Sequence, residues 1–241
     1  MPTLNEEEII ENCLCSLKNQ TCQDFEILVV DGGSTDKTVE IAKDYQAKVV
    51  VKNDCPEFSS RNIGAKLAKG EILLFTCADI VFPKDLFSKV RLKFEESQEL
   101  IALTGPDIPQ NSMLAKIEYG IYNFIRYFFN ALPRPLKKFS TSTNFLAIRK
   151  EHFEKTGGFI SDINADGIMG KQLTEIGQVE FCRNTYVFIS ARRFMKMGFL
   201  KFNLHYLYVL ENFFPFLSRT SFLREFKQKS RAMHGKLHEL S

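Results

Sequence analysis

Several features that would name a class of protein at once are missing from this chain. Its six cysteines include no Cys-x-x-Cys pair and show no ligand-like spacing with histidine, which argues against a zinc ribbon and for free thiols in a reducing compartment. No uncharged apolar run reaches the roughly eighteen residues of a membrane span, so no transmembrane helix is expected. Met1-Pro2-Thr3-Leu4 runs straight into Asn5-Glu6-Glu7-Glu8, which does not read as a secretory signal. There is no internal repeat and no low-complexity linker. Neither sign of charge dominates: the chain is +3 overall, and residues 218–241 alone hold six Lys/Arg against two acids, so the basicity is local to the tail. No recognition motif accompanies it, which argues against a nucleic-acid partner.

What is present is an ordinary globular composition, 44% hydrophobic and 25% charged over 241 residues, enough for an ample core without covalent staples. The chain is organised around Ile27-Leu28-Val29-Val30-Asp31-Gly32-Gly33-Ser34-Thr35-Asp36. Four aliphatic residues stopped by Asp-Gly-Gly read as a strand buried on both faces. Ser34, Thr35 and Asp36 can each cap a following helix with Val39, Ile41 and Ala42 on its apolar side. A carboxylate at the carboxyl end of such a strand, followed by glycines that admit a ligand to the backbone, is where open α/β sheets bind ligands.

The same order recurs. Asn5 is placed to cap a helix carrying Ile9, Ile10, Cys13, Leu14 and Leu17, which leaves only a stub of any earlier strand: either the chain copes with that stub or its recorded start is too late. Val49–Val51 reads as a strand, Ser59 or Ser60 as the cap of a helix ended by Gly70, and Ile72–Phe75 as a buried strand delivering Thr76-Cys77-Ala78-Asp79. Pro83 starts another helix, to about Ser97. Strand, loop and helix in repetition predict a three-layer α/β domain with a mostly parallel sheet. In the second half, Leu100–Thr104, Thr143–Ile148 and Val187–Ser190 read as strands, Lys150–Lys155 and Asp166–Ile176 as helices. Residues 112–131 form a helix too aromatic to be fully solvated.

Four ordered motifs then carry a resemblance. Pro2-Thr3-Leu4-Asn5-Glu6, Val30-Asp31-Gly32-Gly33-Ser34-Thr35-Asp36, Arg61-Asn62-Ile63-Gly64-Ala65 with Ala68-Lys69-Gly70-Glu71-Ile72-Leu73, and Gly157-Gly158-Phe159 ahead of Ala165-Asp166 resemble the signature run of family 2 inverting glycosyltransferases of the GT-A fold, over roughly residues 1–195. The resemblance implies a nucleotide-sugar-binding half at 1–99 and an acceptor half at 100–198, with residues 199–241 an appendage. It implies a UDP- or GDP-linked donor held by Thr3, Glu6, Asp31, Gly33, Arg61 and Asp79. Each has a plainer reading: Asp31 as an Asx-type cap of the glycine turn, Glu6 as a first-turn charge, Arg61 as the partner of an acidic neighbour, and Asn62 as decoration of the helix.

The family's Asp-x-Asp motif, which helps hold Mg²⁺ or Mn²⁺ against the donor diphosphate, reads Cys77-Ala78-Asp79 here. The first acid is replaced by a soft thiol, leaving Asp79 as the only carboxylate of the motif for the metal. Asp166 is the candidate general base for in-line attack by an acceptor hydroxyl, or else a helix cap; Asp162 is a lesser substitute. A phosphate acceptor would need no base. Arg192 and Arg193 are candidates for the diphosphate or an acceptor phosphate, or they flank a sheet edge, and His205 loosely resembles family positions that reach the metal.

From Phe199 to Leu217 two adjacent helical rows are apolar, Leu200, Leu204, Leu207, Leu210, Phe214, Leu217 and Phe199, Phe202, Tyr206, Val209, Phe213, Phe216. With the basic tail they suit either packing on the domain or an anionic membrane surface. The expectation is a cytoplasmic transferase, peripheral at the inner membrane face, acting on a carbohydrate or lipid-linked acceptor. A sugar-phosphate nucleotidyltransferase would need a glycine-rich phosphate loop near the first strand, which the chain lacks. A catalytically weakened nucleotide-sugar-binding protein is the other reading that Cys77 allows.

Overall fold

The computed structural model describes residues 1–133, 137, 141–161, 165–192 and 195. Two compact units are present, Met1–Ser190 and Ala191–Ser241. The first opens with β1 (Pro2–Thr3), α1 (Ile10–Lys18), β2 (Leu28–Asp31), α2 (Thr38–Asp44), β3 (Lys48–Val51) and α3 (Glu57–Leu67). It continues through β4 (Ile72–Phe75), β5 (Ile80–Val81), α4 (Leu86–Glu96), β6 (Leu100–Thr104), β7 (Asp107–Gln110) and α5 (Met113–Ala131), then β8 (Leu146–Arg149), α6 (Lys150–Lys155), α7 (Ala165–Ile176), β9 (Gln178–Phe181) and β10 (Val187–Ser190).

The strands hydrogen-bond in the orders β1-β2-β3, β4-β8-β6-β9 and β5-β10-β7. Four of the pairings, β1/β2, β2/β3, β6/β9 and β7/β10, are parallel. The three pairings made by β8 and β5 are antiparallel. The α/β class and mainly parallel first half expected from the sequence are therefore present, with β8 folding back between β4 and β6. The first strand is indeed a two-residue stub, Pro2 opposite Val30 and Thr3 opposite Asp31.

Local expectations fail in instructive places. Asn5 does not cap α1. It sits at φ 51°, and its side chain accepts from Thr35 N at 2.9 Å, locking the first loop to the glycine turn. α3 begins at Glu57 behind Pro56 rather than at Ser59 or Ser60, and it ends at Leu67 rather than at Gly70. Proline has a fixed φ and no N–H to lose, so it opens a helix at little cost. β5, β7 and β9 are too short or, with Pro109 in β7, too atypical to stand out from periodicity alone.

One core joins the β4-β8-β6-β9 sheet to α3, α6 and α7 through Leu73, Phe75, Leu146, Ile148, Phe153, Phe159, Met169 and Leu173. Each such side chain contributes about 1.5–3 kcal/mol on full burial. The turn after β6 is tight enough that a Cβ on Gly105 would stand 1.5 Å from the Thr185 carbonyl oxygen. Of the second unit, Ala191, Arg192 and Met195 are described, with Met195 N donating to Ala191 O at 2.9 Å. Asp162, Arg193, His205 and the amphipathic stretch 199–217 lie outside the described residues.

Candidate active site

The carboxyl end of β2 delivers Asp31 into a closed hydrogen-bond set. Its Oδ1 accepts from Thr3 Oγ1 at 2.9 Å and Ser34 Oγ at 2.5 Å, and its Oδ2 accepts from the backbone N–H of Gly33 at 2.9 Å and of Ser34 at 2.7 Å. The Asx-type closure foreseen as the plainer reading is therefore formed. A carboxylate offers about four acceptor positions, so all are filled, and a ligand donor enters only by displacing a hydroxyl, Thr3 or Ser34, since the backbone donors are fixed. Gly33 is the glycine the turn requires: its φ is 102°, and a Cβ there would meet Asn53 Oδ1 at 3.0 Å. Glu6 is half-buried in the adjoining loop, where its N–H donates to Thr38 Oγ1 at 2.7 Å.

A second cluster forms around Arg61, on the buried side of α3. Its Nη1 donates to Glu57 Oε1 at 2.6 Å, its Nη2 to Cys77 Sγ at 3.1 Å, and its guanidinium lies over the Phe58 ring. Burial opposes its charge, yet Glu57, Cys77 and Asp166 hold its pKa above the usual arginine value. The pairing with an acidic neighbour, expected as the alternative to phosphate contact, is made by Glu57 four residues earlier.

Asp166 belongs to this cluster. Thr141 Oγ1 donates to its carbonyl oxygen at 2.5 Å, and Thr143 Oγ1 reaches its Oδ2 at 3.5 Å. Its Oδ1 is closed to solvent and accepts no hydrogen bond among the described residues. Burial pushes the carboxyl up to about 6; Arg61 opposes that shift and Glu57 adds to it. Asp166 is the second residue of α7, and its carboxylate turns to Thr143 rather than to the helix's own amides. A carboxylate poised near neutrality with an unused oxygen is chemically suited to take a proton.

The Cys77-Ala78-Asp79 turn connects β4 to β5. Cys77 is buried, its thiol facing Arg61 and, at 3.8 Å, the Thr143 carbonyl, while its own carbonyl receives Cys13 Sγ at 3.7 Å. Asp79 is half-buried, and its carbonyl accepts from Ser190 N at 3.2 Å. Asp79 also bears on Asp107, a buried acid the sequence reading missed. Asp107 Oδ2 accepts from Ser142 Oγ at 2.9 Å and Asn144 Nδ2 at 3.2 Å and lies 3.5 Å from the buried Arg126. Burial pushes Asp107 up; Arg126, Ser142 and Asn144 pull it back. A lone arginine inside the aromatic run 119–129 was the available signal for such a buried pair.

Asn62 does more than decorate its helix. Its amide donates to Phe159 O at 2.8 Å and accepts from Phe159 N at 2.9 Å, tying the 61–65 motif to the Gly157-Gly158-Phe159 turn. The tertiary structure thus joins Arg61, Cys77, Thr143 and Asp166, and separately joins Thr3 to Asp31. The three acids 31, 79 and 166 fall in three distinct hydrogen-bond sets, with position 77 and its neighbours linking the last two. A cavity of about 680 Å³ lies elsewhere, lined by Gln98, Ile101, Lys137, His152 and Gln178, and contains none of these acids. Among the described residues no group of three or more His, Cys, Asp or Glu side chains is arranged to hold a metal. Arg192 is half-buried in the second unit.

The model of the family described as glycosyl transferase family 2 matches residues 1–157, and the chain belongs to that family. A PGL/p-HBAD biosynthesis glycosyltransferase of Mycobacterium tuberculosis (strain ATCC 25177 / H37Ra) is 40% identical over 85 residues, 33% of this chain and 33% of the relative. The aligned part spans about a third of the length of that relative. Among solved structures, the mannosyltransferase PcManGT from Pyrobaculum calidifontis, in complex with GDP-Man and Mn²⁺, superposes with a TM-score of 0.70 at 21% identity, covering 91% of this chain and 63% of that one. S. aureus TarS 1-349 in complex with UDP-GlcNAc gives a TM-score of 0.59 at 20% identity, covering 78% and 56%. These neighbours share the fold, a GT-A glycosyltransferase architecture.

Proposed function

We propose that the chain is an inverting transferase that moves a sugar from a UDP- or GDP-linked donor to an acceptor hydroxyl, with Asp166 as general base. The observation that carries this reading is the Asp166 carboxylate: one oxygen without a hydrogen bond among the described residues, its pKa raised to about 6, next to the Arg61 and Cys77 cluster at the strand ends. At neutral pH it is ionised and accepts the hydroxyl proton as the acceptor oxygen attacks the anomeric carbon. The bond to the diphosphate breaks and the nucleoside diphosphate departs with the electron pair. A lipid-linked phosphate acceptor, already ionised, dispenses with the base.

Donor binding is assigned to the β1 and β2 ends. Ribose or base donors replace the Thr3 or Ser34 hydroxyl on Asp31, Gly33 admits the ligand to the backbone, and Glu6 flanks it. PcManGT binds GDP-Man and TarS binds UDP-GlcNAc, which supports these two nucleotide classes for the donor. Mg²⁺ or Mn²⁺ fits the donor set in one way only. Asp79 would supply one hard oxygen to such an ion alongside the donor's phosphates, whereas Cys77 is soft and committed to Arg61. When bound, such an ion would supply positive charge for the departing diphosphate. Arg192 and Arg193 are assigned to that diphosphate or to an acceptor phosphate, and residues 199–241 to an anionic membrane surface at the cytoplasmic face.

A second reading, a nucleotide-sugar binder with weakened catalysis, is favoured by the same Cys77–Arg61 contact. Both readings are tested by a panel of UDP- and GDP-sugars with and without Mn²⁺, scored by thermal shift and by release of nucleoside diphosphate. Stabilisation with turnover above the Asp166→Asn background supports the transferase; stabilisation without turnover supports the binder.

A further inference from the structure

Helix α5 presents two opposite faces. Inward, Ala115, Tyr119, Arg126 and Asn130 are buried, and Arg126 donates to Gly105 O at 3.2 Å and Thr104 Oγ1 at 2.9 Å. Outward, Met113, Leu114, Ile117, Ile121, Phe124 and Phe128 are all exposed, Phe124 to 65% and Ile121 to 59%. The sequence expectation that so aromatic a helix is not fully solvated is met on the inner face, where Tyr119 is buried, while Phe124, Tyr127 and Phe128 remain exposed on the outer one. Lys116 is the only charged residue among the exposed positions of the helix. A monomeric soluble protein rarely leaves so continuous an apolar face in water without a use for it.

The shape and charge of this face select its occupant. With Tyr127, its side chains spread over roughly 140° of the circumference and about 23 Å of length at 3.6 residues per turn and 1.5 Å per residue. That is broader than the narrow seam through which two helices pair, and it suits a flat apolar boundary. No acid interrupts the face. The carboxylate oxygens of Glu118, on the helix flank, are closed off, and burial pushes that carboxyl up. In the sequence, the stretch 132–140 that follows the helix contains Arg134, Lys137 and Lys138 and no acid, and Lys137 gives its ammonium to Val179 O at 2.9 Å.

We propose that the outer face of α5 is a lipid-contact surface that lies in the headgroup and acyl boundary of an anionic bilayer. It is distinct from the tail at 199–241 and does not rest on the transfer chemistry. The helix lies flat and does not span, and no helix among the described residues is long and apolar enough to cross a membrane. The same α5 carries Arg126, which secures Asp107 beside Asp79, so this contact fixes the acidic end of the sheet at a set height over the lipid.

The chain contains no tryptophan, so Phe124→Trp in the full chain gives a single reporter on this face. Added to phosphatidylcholine vesicles containing phosphatidylglycerol, it is expected to shift its emission to the blue and to be quenched by brominated acyl chains. Emission unchanged at vesicle concentrations that sediment the protein would place the contact elsewhere and overturn the proposal. A blue shift that grows with protein concentration and no vesicles would assign the face to a second copy and overturn it equally. The triple variant Ile121→Ser, Phe124→Ser, Phe128→Ser is expected to lower vesicle binding by about tenfold or more with its melting temperature preserved. Undiminished binding, or no binding by the unmodified chain, counts against it.

Discussion

Arg61 directs its Nη2 at the sulfur of Cys77 across 3.1 Å, where the family resemblance calls for a carboxylate. A neutral thiol is a weak acceptor for a buried guanidinium, whose charge is matched first by the ion pair with Glu57. The arginine Nε has no hydrogen-bond partner among the described residues.

Restoring the acid should therefore strengthen this contact. Cys77→Asp is expected to stabilise the fold by about 1–3 kcal/mol through a charge-assisted hydrogen bond, and Cys77→Ala to destabilise it by a similar amount by leaving Nη2 poorly satisfied. Urea denaturation of the three proteins checks this. Shifts of the same sign in both variants would mean the sulfur contact has no energetic weight.

Asp166 links activity and stability with opposite signs. Its folded pKa of about 6 lies above the ordinary 3.8, so the folded state binds this proton more tightly than the unfolded chain. The stabilisation is full below about pH 4 and lost as pH rises through 6. Asp166→Asn is neutral throughout, so it should melt higher than the parent at pH 7.5, by about 2–4 °C per kcal/mol, with the gap closing toward pH 4. Its transfer rate to a hydroxyl acceptor should fall about 10²–10⁴-fold, and the parent's rate should decline as pH drops through 6. A variant that is slower and also less stable at pH 7.5 would reduce Asp166 to a packing role.

Asp79 is expected to carry the divalent-ion dependence. An ion that contributes several kcal/mol at the departing diphosphate corresponds to about a hundredfold or more in rate. Asp79→Asn should lose at least that and should no longer respond to added Mn²⁺. Nucleoside diphosphate release, titrated with Mn²⁺ and then with chelator, measures it; turnover indifferent to both changes contradicts the assignment.

Two glycines separate a steric requirement from a permissive one. A Cβ on Gly105 would lie 1.5 Å from a backbone oxygen, whereas one on Gly32 finds its nearest atom at an ordinary 3.5 Å. Gly105→Ala should cost more than about 4 kcal/mol or prevent folding, because backbone cannot yield as a side chain can, and Gly32→Ala should stay within about 1 kcal/mol. Soluble yield and denaturation midpoints distinguish them.

The first half of the fold was legible because its signals are local. Leu28–Asp31, Ile72–Phe75 and the helix after Asp36 each announce themselves by periodicity and a stop, and the order of four motifs was enough for the family. The antiparallel β8 and the short β5, β7 and β9 were not readable as partners, because pairing across the chain leaves little trace in a four-residue segment. Asp107 escaped notice for the same reason: its significance comes from Arg126, Ser142 and Asn144.

The sequence by itself determined which residues could carry the chemistry, since an Asp at a strand end or a helix start is chosen by its neighbours along the chain. Only the tertiary structure decided what each was doing. It gave Asp31 a full set of internal donors, turned Cys77 to Arg61, left one oxygen of Asp166 unused and kept the outer face of α5 in the open. Contacts between residues 61, 77, 143 and 166 depend on how strands far apart in the chain come together, and the free energy of a polar group is set by what surrounds it.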